Sequence, residues 1–224
     1  MRLLKFIIFL LIVSNLYAQN PWNLKAGINV SKFRNDDSEF LANYSFGLSK
    51  QLHISGNYFV TPEIFVTRQG SILKNKPVKT GYWDEYLYSY DIKALYIYLE
   101  FPVFIGYKTS LYEYTTYFYV GPSLRVGLSD RTKLSNQKLI YDDTHPAGKA
   151  EYENYDFEFV QGDYELGFFK SPAWSINFGV SVDINFIDLE LRYTYTFNEI
   201  GQIEQIHPIK RYLHSLHLLL GIHL

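Results

Sequence analysis

The chain has 224 residues, 21 Lys and Arg against 23 Asp and Glu for a formal net charge of -2, no Cys, and 18% aromatic residues that include 21 Tyr and 17 Phe. With 47% hydrophobic residues and near-neutral charge, this is neither a disordered nor a nucleic-acid-binding composition, so nucleic acid is not an expected partner. The lack of Cys excludes a disulfide framework, and the aromatic excess points to strands or to membrane interfaces.

The chain opens MRLLKFIIFLLIVSNLYAQN. Arg2 and Lys5 form a basic start, Phe6 to Val13 an apolar stretch, and Ala18 a small residue where cleavage would leave Gln19 first. This predicts a cleaved signal peptide over 1–18 and one domain over 19–224. The apolar stretch is too short to cross about 30 Å of hydrocarbon as a helix. No Cys at the cut offers a lipid anchor.

No later segment reads as a helical span, and the mean hydropathy of -0.12 conceals a period of two. WNLKAGINVS places Trp22, Leu24, Ala26, Ile28 and Val30 on one face and Asn23, Lys25, Gly27, Asn29 and Ser31 on the other. Strands with the same alternation follow at Tyr44 to Leu52 and Tyr58 to Gln69. ALYIYLEFPVFIGY, from Ala94 to Tyr107, sets Leu95, Ile97, Leu99, Phe101, Val103, Ile105 and Tyr107 against a face carrying Glu100 and Pro102. Thr116 to Leu128 is next, then AWSINFGVSVDI from Ala173 to Ile184, LELRYTYTF from Leu189 to Phe197, and Tyr212 to Leu224.

Eight strands result, and their connections alternate in length. Short links at His53 to Asn57, Thr109 to Thr115 and Asn185 to Asp188 take turns with long ones at Lys32 to Asn43, Gly70 to Lys93, Ser129 to Ala173 and Asn198 to Arg211. An even number of strands of about ten residues, with short turns at one rim and long loops at the other, is the pattern of an outer-membrane barrel. The fold expected is all-β, an eight-stranded antiparallel up-and-down transmembrane β-barrel with long extracellular loops.

Alternation alone does not say which face is inside, because a soluble lipocalin-type barrel also alternates. The polar face bears Gly27, Gly47, Gly106, Gly121, Gly127, Gly179 and Gly221, and glycine weakens a water-facing strand but suits a crowded lumen. The apolar face is almost free of charge, as hydrocarbon demands, since Lys or Arg at the bilayer midplane costs about 2–4 kcal/mol. Its aromatic residues fall at a lower rim, at Trp22, Tyr58 and Tyr107, and at an upper rim, at Tyr44, Trp174, Tyr195, Phe197 and Tyr212.

Glu100 then points into the lumen, where Lys25, Arg125 and Arg192 face Glu63, Glu100, Asp183 and Glu190. Mutual neutralisation in an eight-stranded interior just wide enough for side chains predicts a closed lumen rather than a channel. Pro62, Pro102 and Pro122 fall on three consecutive strands, and each lacks an N–H in a sheet without edges, so a bulge or weakened pairing is expected there.

AGINVS on the first strand, PEIFVTRQG on the third, YLEFPVFIGYK on the fourth and VGPSLRVGLS on the fifth, with YAQ closing the leader, resemble the PorT-like outer-membrane β-barrel family of Gram-negative bacteria. The resemblance covers most of the mature chain. It implies the fold, outer-membrane lipid as surroundings, and, from some relatives, assistance to secretion or gliding. Leu224 stands where such barrels usually end in an aromatic, and the 129–173 connection is unusually long.

No catalytic, cofactor or metal site is expected. His214 points opposite to Ser215 and His217 in a strand, so those neighbours cannot form a nucleophile and base pair on the outer wall, and His217 and His223 are expected to fill the lumen. Between Tyr141 and Phe169, eight acids, Asp142, Asp143, Glu151, Glu153, Asp156, Glu158, Asp163 and Glu165, oppose Lys149 alone. Such a cluster could bind Ca²⁺, but without trustworthy ligand spacing it reads as a hairpin prolonged into water. The function expected is non-enzymatic, with the long loops meeting an envelope or extracellular protein partner. The alternative is a soluble periplasmic or secreted barrel binding a small apolar ligand.

Overall fold

The computed structural model describes residues 22–34, 38–78, 88–139, 157–160, 172–197 and 212–224. Within them lie ten strands: β1 (Trp22–Phe33), β2 (Ser38–Lys50), β3 (Leu52–Ser55), β4 (Tyr58–Val78), β5 (Tyr88–Leu111), β6 (Tyr114–Leu139), β7 (Phe157–Val160), β8 (Ala173–Ile184), β9 (Ile187–Thr196) and β10 (Leu213–His223). Eight of them close a ring in the order β1, β2, β4, β5, β6, β8, β9, β10, and β10 pairs back onto β1. Every neighbouring pair is antiparallel. β3 prolongs β2 against β4, and β7 pairs with the far part of β6. The expected eight-stranded up-and-down barrel is the fold, and residues 1–21 lie outside the described part.

Sequence alternation made some strands too short at their outer ends. β4 runs past Gln69 to Val78, β5 begins at Tyr88 instead of Ala94, and β6 continues past Leu128 to Leu139. The long link expected over Lys32 to Asn43 is corrected to residues 34–37, because β1 reaches Phe33 and β2 starts at Ser38. An alternating apolar face marks where lipid lies, whereas ladder hydrogen bonds also form above it, so apolar alternation underestimates strand length. At the opposite rim, two-residue turns at Gly56–Asn57, Tyr112–Glu113 and Asn185–Phe186 join the strands. Each holds its first residue at positive φ, 56° at Gly56, 56° at Tyr112 and 61° at Asn185.

The prolines weaken pairing without shifting it. Ser49 pairs with Glu63 and Leu52 with Val60 in one register, while the positions opposite Pro62 and Thr61 drop out; this lapse separates β2 from β3. The β4–β5 ladder likewise lapses opposite Pro102 and Phe101, and the β5–β6 ladder opposite Pro122 and Gly121, both with register kept. Each proline removes one donor from a pair of bonds that antiparallel strands exchange, so two adjacent pairings disappear. Because Pro62 pairs with Val103 and Pro102 with Ser123, the three lapses lie side by side around the wall.

The oily stripe is outside. Ile28 is 62%, Ile105 61% and Leu220 55% exposed, whereas Lys25 is 6% and Glu190 0% exposed. This is the reverse of a lipocalin, whose apolar face lines the interior, so the soluble alternative is not favoured. Trp22, Tyr58 and Tyr107 are exposed at the short-turn rim, as are Tyr44, Trp174 and Phe197 at the other. Tyr195 and Tyr212 are half-buried there because the Arg34 guanidinium lies over both rings, at 5.0 and 4.8 Å.

Candidate functional site

The inward residues of successive strands stack into layers along the lumen. At the short-turn end is a chamber of about 450 Å³, lined among others by Asn23, Asp183, Asp188, His223, Lys108 and the turn residues Asn185 and Phe186. Above it, Lys25 Nζ lies 2.8 Å from Glu63 and 2.5 Å from Glu190. Arg192 completes a quartet, with Nη2 donating to Glu63 at 2.6 Å and Nε to Glu190 at 2.6 Å. Its guanidinium sits over the rings of Phe65 and Phe104 at 4.9 and 4.7 Å, so aromatic faces cover what the carboxylates leave open.

Four of the seven residues named from sequence, Lys25, Glu63, Glu190 and Arg192, thus meet as two cations and two anions. Glu100 and Arg125 form a separate ion pair one layer higher, at 3.1 Å, with an angle outside hydrogen-bond geometry. Arg125 Nη1 instead donates to Gln69 and Thr196, both at 3.1 Å. Asp183 does not join these charges. It lies lower, where His223 Nε2 is 3.0 Å and the Tyr117 hydroxyl 3.3 Å away. Asp188 was assigned to a turn, yet it faces inward on β9, 3.9 Å from Lys25 and bonded to Asn23. Starting β9 at Ile187 reveals it, since Asp188, Glu190 and Arg192 then share one face.

His217 is buried in the lumen, where its Nε2 meets Ser215 Oγ at 2.8 Å and its Nδ1 meets Ser45 Oγ at 3.2 Å. Ser215 and His217 therefore do pair, but inside the wall, and among the described residues no carboxylate hydrogen-bonds to the ring. His214 points outward and bonds to the Tyr193 hydroxyl at 3.1 Å. His223 sits at the chamber mouth rather than deep in the lumen. Above the Arg125 layer the interior turns apolar, with Phe33, Leu73, Ile92, Ala94 and Leu213 each no more than 1% exposed. Beyond the membrane band, Lys74 on β4 donates to Asp91 and faces Glu39, which raises its pKa above the ordinary lysine value. Among the described residues no group of three or more His, Cys, Asp or Glu could hold a metal ion. The acidic stretch 141–169 lies outside them except for β7.

A closed ring with an apolar exterior, aromatic rims and an ion-paired interior is what a strand-crossing membrane protein requires. The family model for the outer membrane protein beta-barrel domain matches residues 17–202. The chain belongs to this family. It is an outer-membrane protein surrounded by lipid, and by the rule for such barrels its two-residue turns face the periplasm and its long connections the exterior. No curated protein matches the chain. Among solved structures, Ail of Yersinia pestis, crystallised with the heparin analogue sucrose octasulfate, is 9% identical, with 92% of this chain and 99% of that chain covered and a TM-score of 0.42. OprG of Pseudomonas aeruginosa is 11% identical over 92% and 96% of the two chains, TM-score 0.40. The outer membrane enzyme PagL is 14% identical over 89% and 98%, TM-score 0.43. Likenesses at this level carry no functional inference.

Proposed function

We propose that this is a non-enzymatic outer-membrane protein with a closed lumen, whose outward projections engage an envelope or extracellular protein as an accessory to secretion or surface assembly. The observation that supports this is the unequal height of the wall. β4, β5 and β6 continue outward together as far as the pairings of Val78 with Tyr88 and Tyr88 with Leu139, and β7 adds to β6 there. On the other side β2 leaves β4 at Leu73, its partner Ser38 being the last in that ladder. At 3.3 Å per residue, the five residues from Lys74 to Val78, beyond the last β2 pairing, extend roughly 17 Å along the strand. The final β4 segment has no partner on the β2 side among the described residues, and an exposed sheet edge is a surface to which another chain can add.

The PorT-like resemblance and the leader over 1–18, with the mature barrel at 19–224, fit this reading. Charge neutralisation by the quartet and the Glu100–Arg125 pair, beneath the apolar layer, supports a lumen that conducts nothing. The test is a pull-down from detergent-solubilised envelope, with the full chain and with a variant in which Asn-Gly replaces 74–91 between the paired Leu73 and Ile92. The expected result is a partner held by the full chain and lost from the folded variant. Equal capture by both overturns the reading, and steady single-channel current in planar bilayers overturns the closed lumen.

A further inference from the structure

The ion-paired quartet leaves the periplasm-facing chamber below it chemically unexplained. Two acceptors in the chamber wall, Asp188 Oδ1 and Asn23 Oδ1, meet no donor from the described residues. Their residues are only 5% and 8% exposed, and Asn23 Nδ2 donates to Asp188 Oδ2 at 3.2 Å, so the two unmatched oxygens belong to one bonded pair. A buried acceptor without a donor costs about 1–3 kcal/mol, which makes the pair a place where a donor is expected.

Charge identifies the donor. Lys25 is committed to Glu63 and Glu190 at 2.8 and 2.5 Å and reaches Asp188 only at 3.9 Å. Asp183 has His223 at 3.0 Å as its basic neighbour. Outside the charge-balanced quartet, the lining's carboxylates Asp183 and Asp188 outnumber its remaining lysine, Lys108, by one with His223 counted neutral. Aromatic rings complete the wall, and the ammonium of Lys108 at the mouth already lies 5.8 Å from the centre of the Tyr117 ring. An ammonium group offers three donors and no acceptor, whereas a neutral hydroxyl group leaves the acid surplus unmatched. A volume of about 450 Å³ lies in the range of small-molecule sites.

We infer that this chamber is a binding site for a primary ammonium group entering from the periplasm, with its N–H groups donating to Asp188 Oδ1 and Asn23 Oδ1. The group can belong to a small free amine or to a lysine side chain of a peptide. Isothermal titration of the folded full barrel in nanodiscs with 1,4-diaminobutane, Nα-acetyl-lysine methylamide and 1,4-butanediol separates these cases. Saturable one-site binding of either amine without binding of the diol supports the site, and the tighter amine names the source. Asp188→Asn is expected to weaken the amine at least tenfold. If that variant fails to fold, Asp183→Asn is expected to weaken it as well, through the lost charge. Absence of saturable amine binding, equal binding of the diol, or unchanged affinity in a folded Asp188→Asn barrel overturns the proposal.

Discussion

The ring of Phe59 on β4 lies directly over Gly106, its cross-strand partner on β5, so closely that a Cβ at 106 would come within 2.1 Å of Phe59 Cζ. The same relation joins Tyr119 to Gly179 and Phe65 to Gly47, each pair directly opposite across a ladder. Large inward rings in a narrow barrel need flat neighbours, and glycine is the flattest. This is the physical reason for glycine at positions 47, 106 and 179 of the enclosed face, whereas at Gly27 and Gly121 a Cβ would meet the neighbouring strand's backbone at Leu218 O and Val103 O.

Gly106→Ala is accordingly expected to destabilise the barrel by about 1–3 kcal/mol, the usual cost of overpacking. Urea unfolding in lipid vesicles measures it. Combining the change with Phe59→Leu should recover part of the loss, and full additivity of the two substitutions would contradict the account.

Lys25→Met should cost more, about 3–5 kcal/mol, because Glu63 and Glu190 are then left sharing Arg192 in a dry interior. Adding Glu190→Gln removes the uncompensated charge, so the double variant should be more stable than Lys25→Met alone. The same unfolding series reads both, and a double variant weaker than the single would count against a mutually neutralising quartet.

Pro122→Val tests the lapse in pairing. The side chain points outward, so valine keeps an apolar surface while restoring one N–H opposite Val103. A gain of about 0.5–1.5 kcal/mol is expected, together with slower amide hydrogen exchange at residues 103, 104 and 122. Unchanged exchange around these positions would mean that something other than the missing donor opens the ladder.

Strand number, order and facing were legible in the sequence because a period of two is set by backbone geometry alone. The residues of the lumen followed from that facing, but not their partners. Alternation places Asp183 and Glu190 on the same enclosed surface, yet strand stagger decides that Glu190 meets Lys25 while Asp183 meets His223 nearer the short-turn rim. The outward reach of β4 to β6 was hidden for a different reason: above the membrane no lipid enforces an apolar face, so hydrogen bonding persists where the pattern fades. The prolines signalled disturbance, but only the ladder shows that register survives it.

The central claim is that the apolar stripe meets acyl chains while the polar face is sealed inside. Nitroxide labels placed singly from Val60 to Thr67 on β4 of the reconstituted protein test it most directly, by collision with oxygen, which dissolves in lipid, and with a polar nickel chelate. The account predicts oxygen access at 60, 64 and 66, with little access of either reagent at 61, 63, 65 and 67. Oxygen access peaking at the odd positions, or no two-residue period at all, would contradict it.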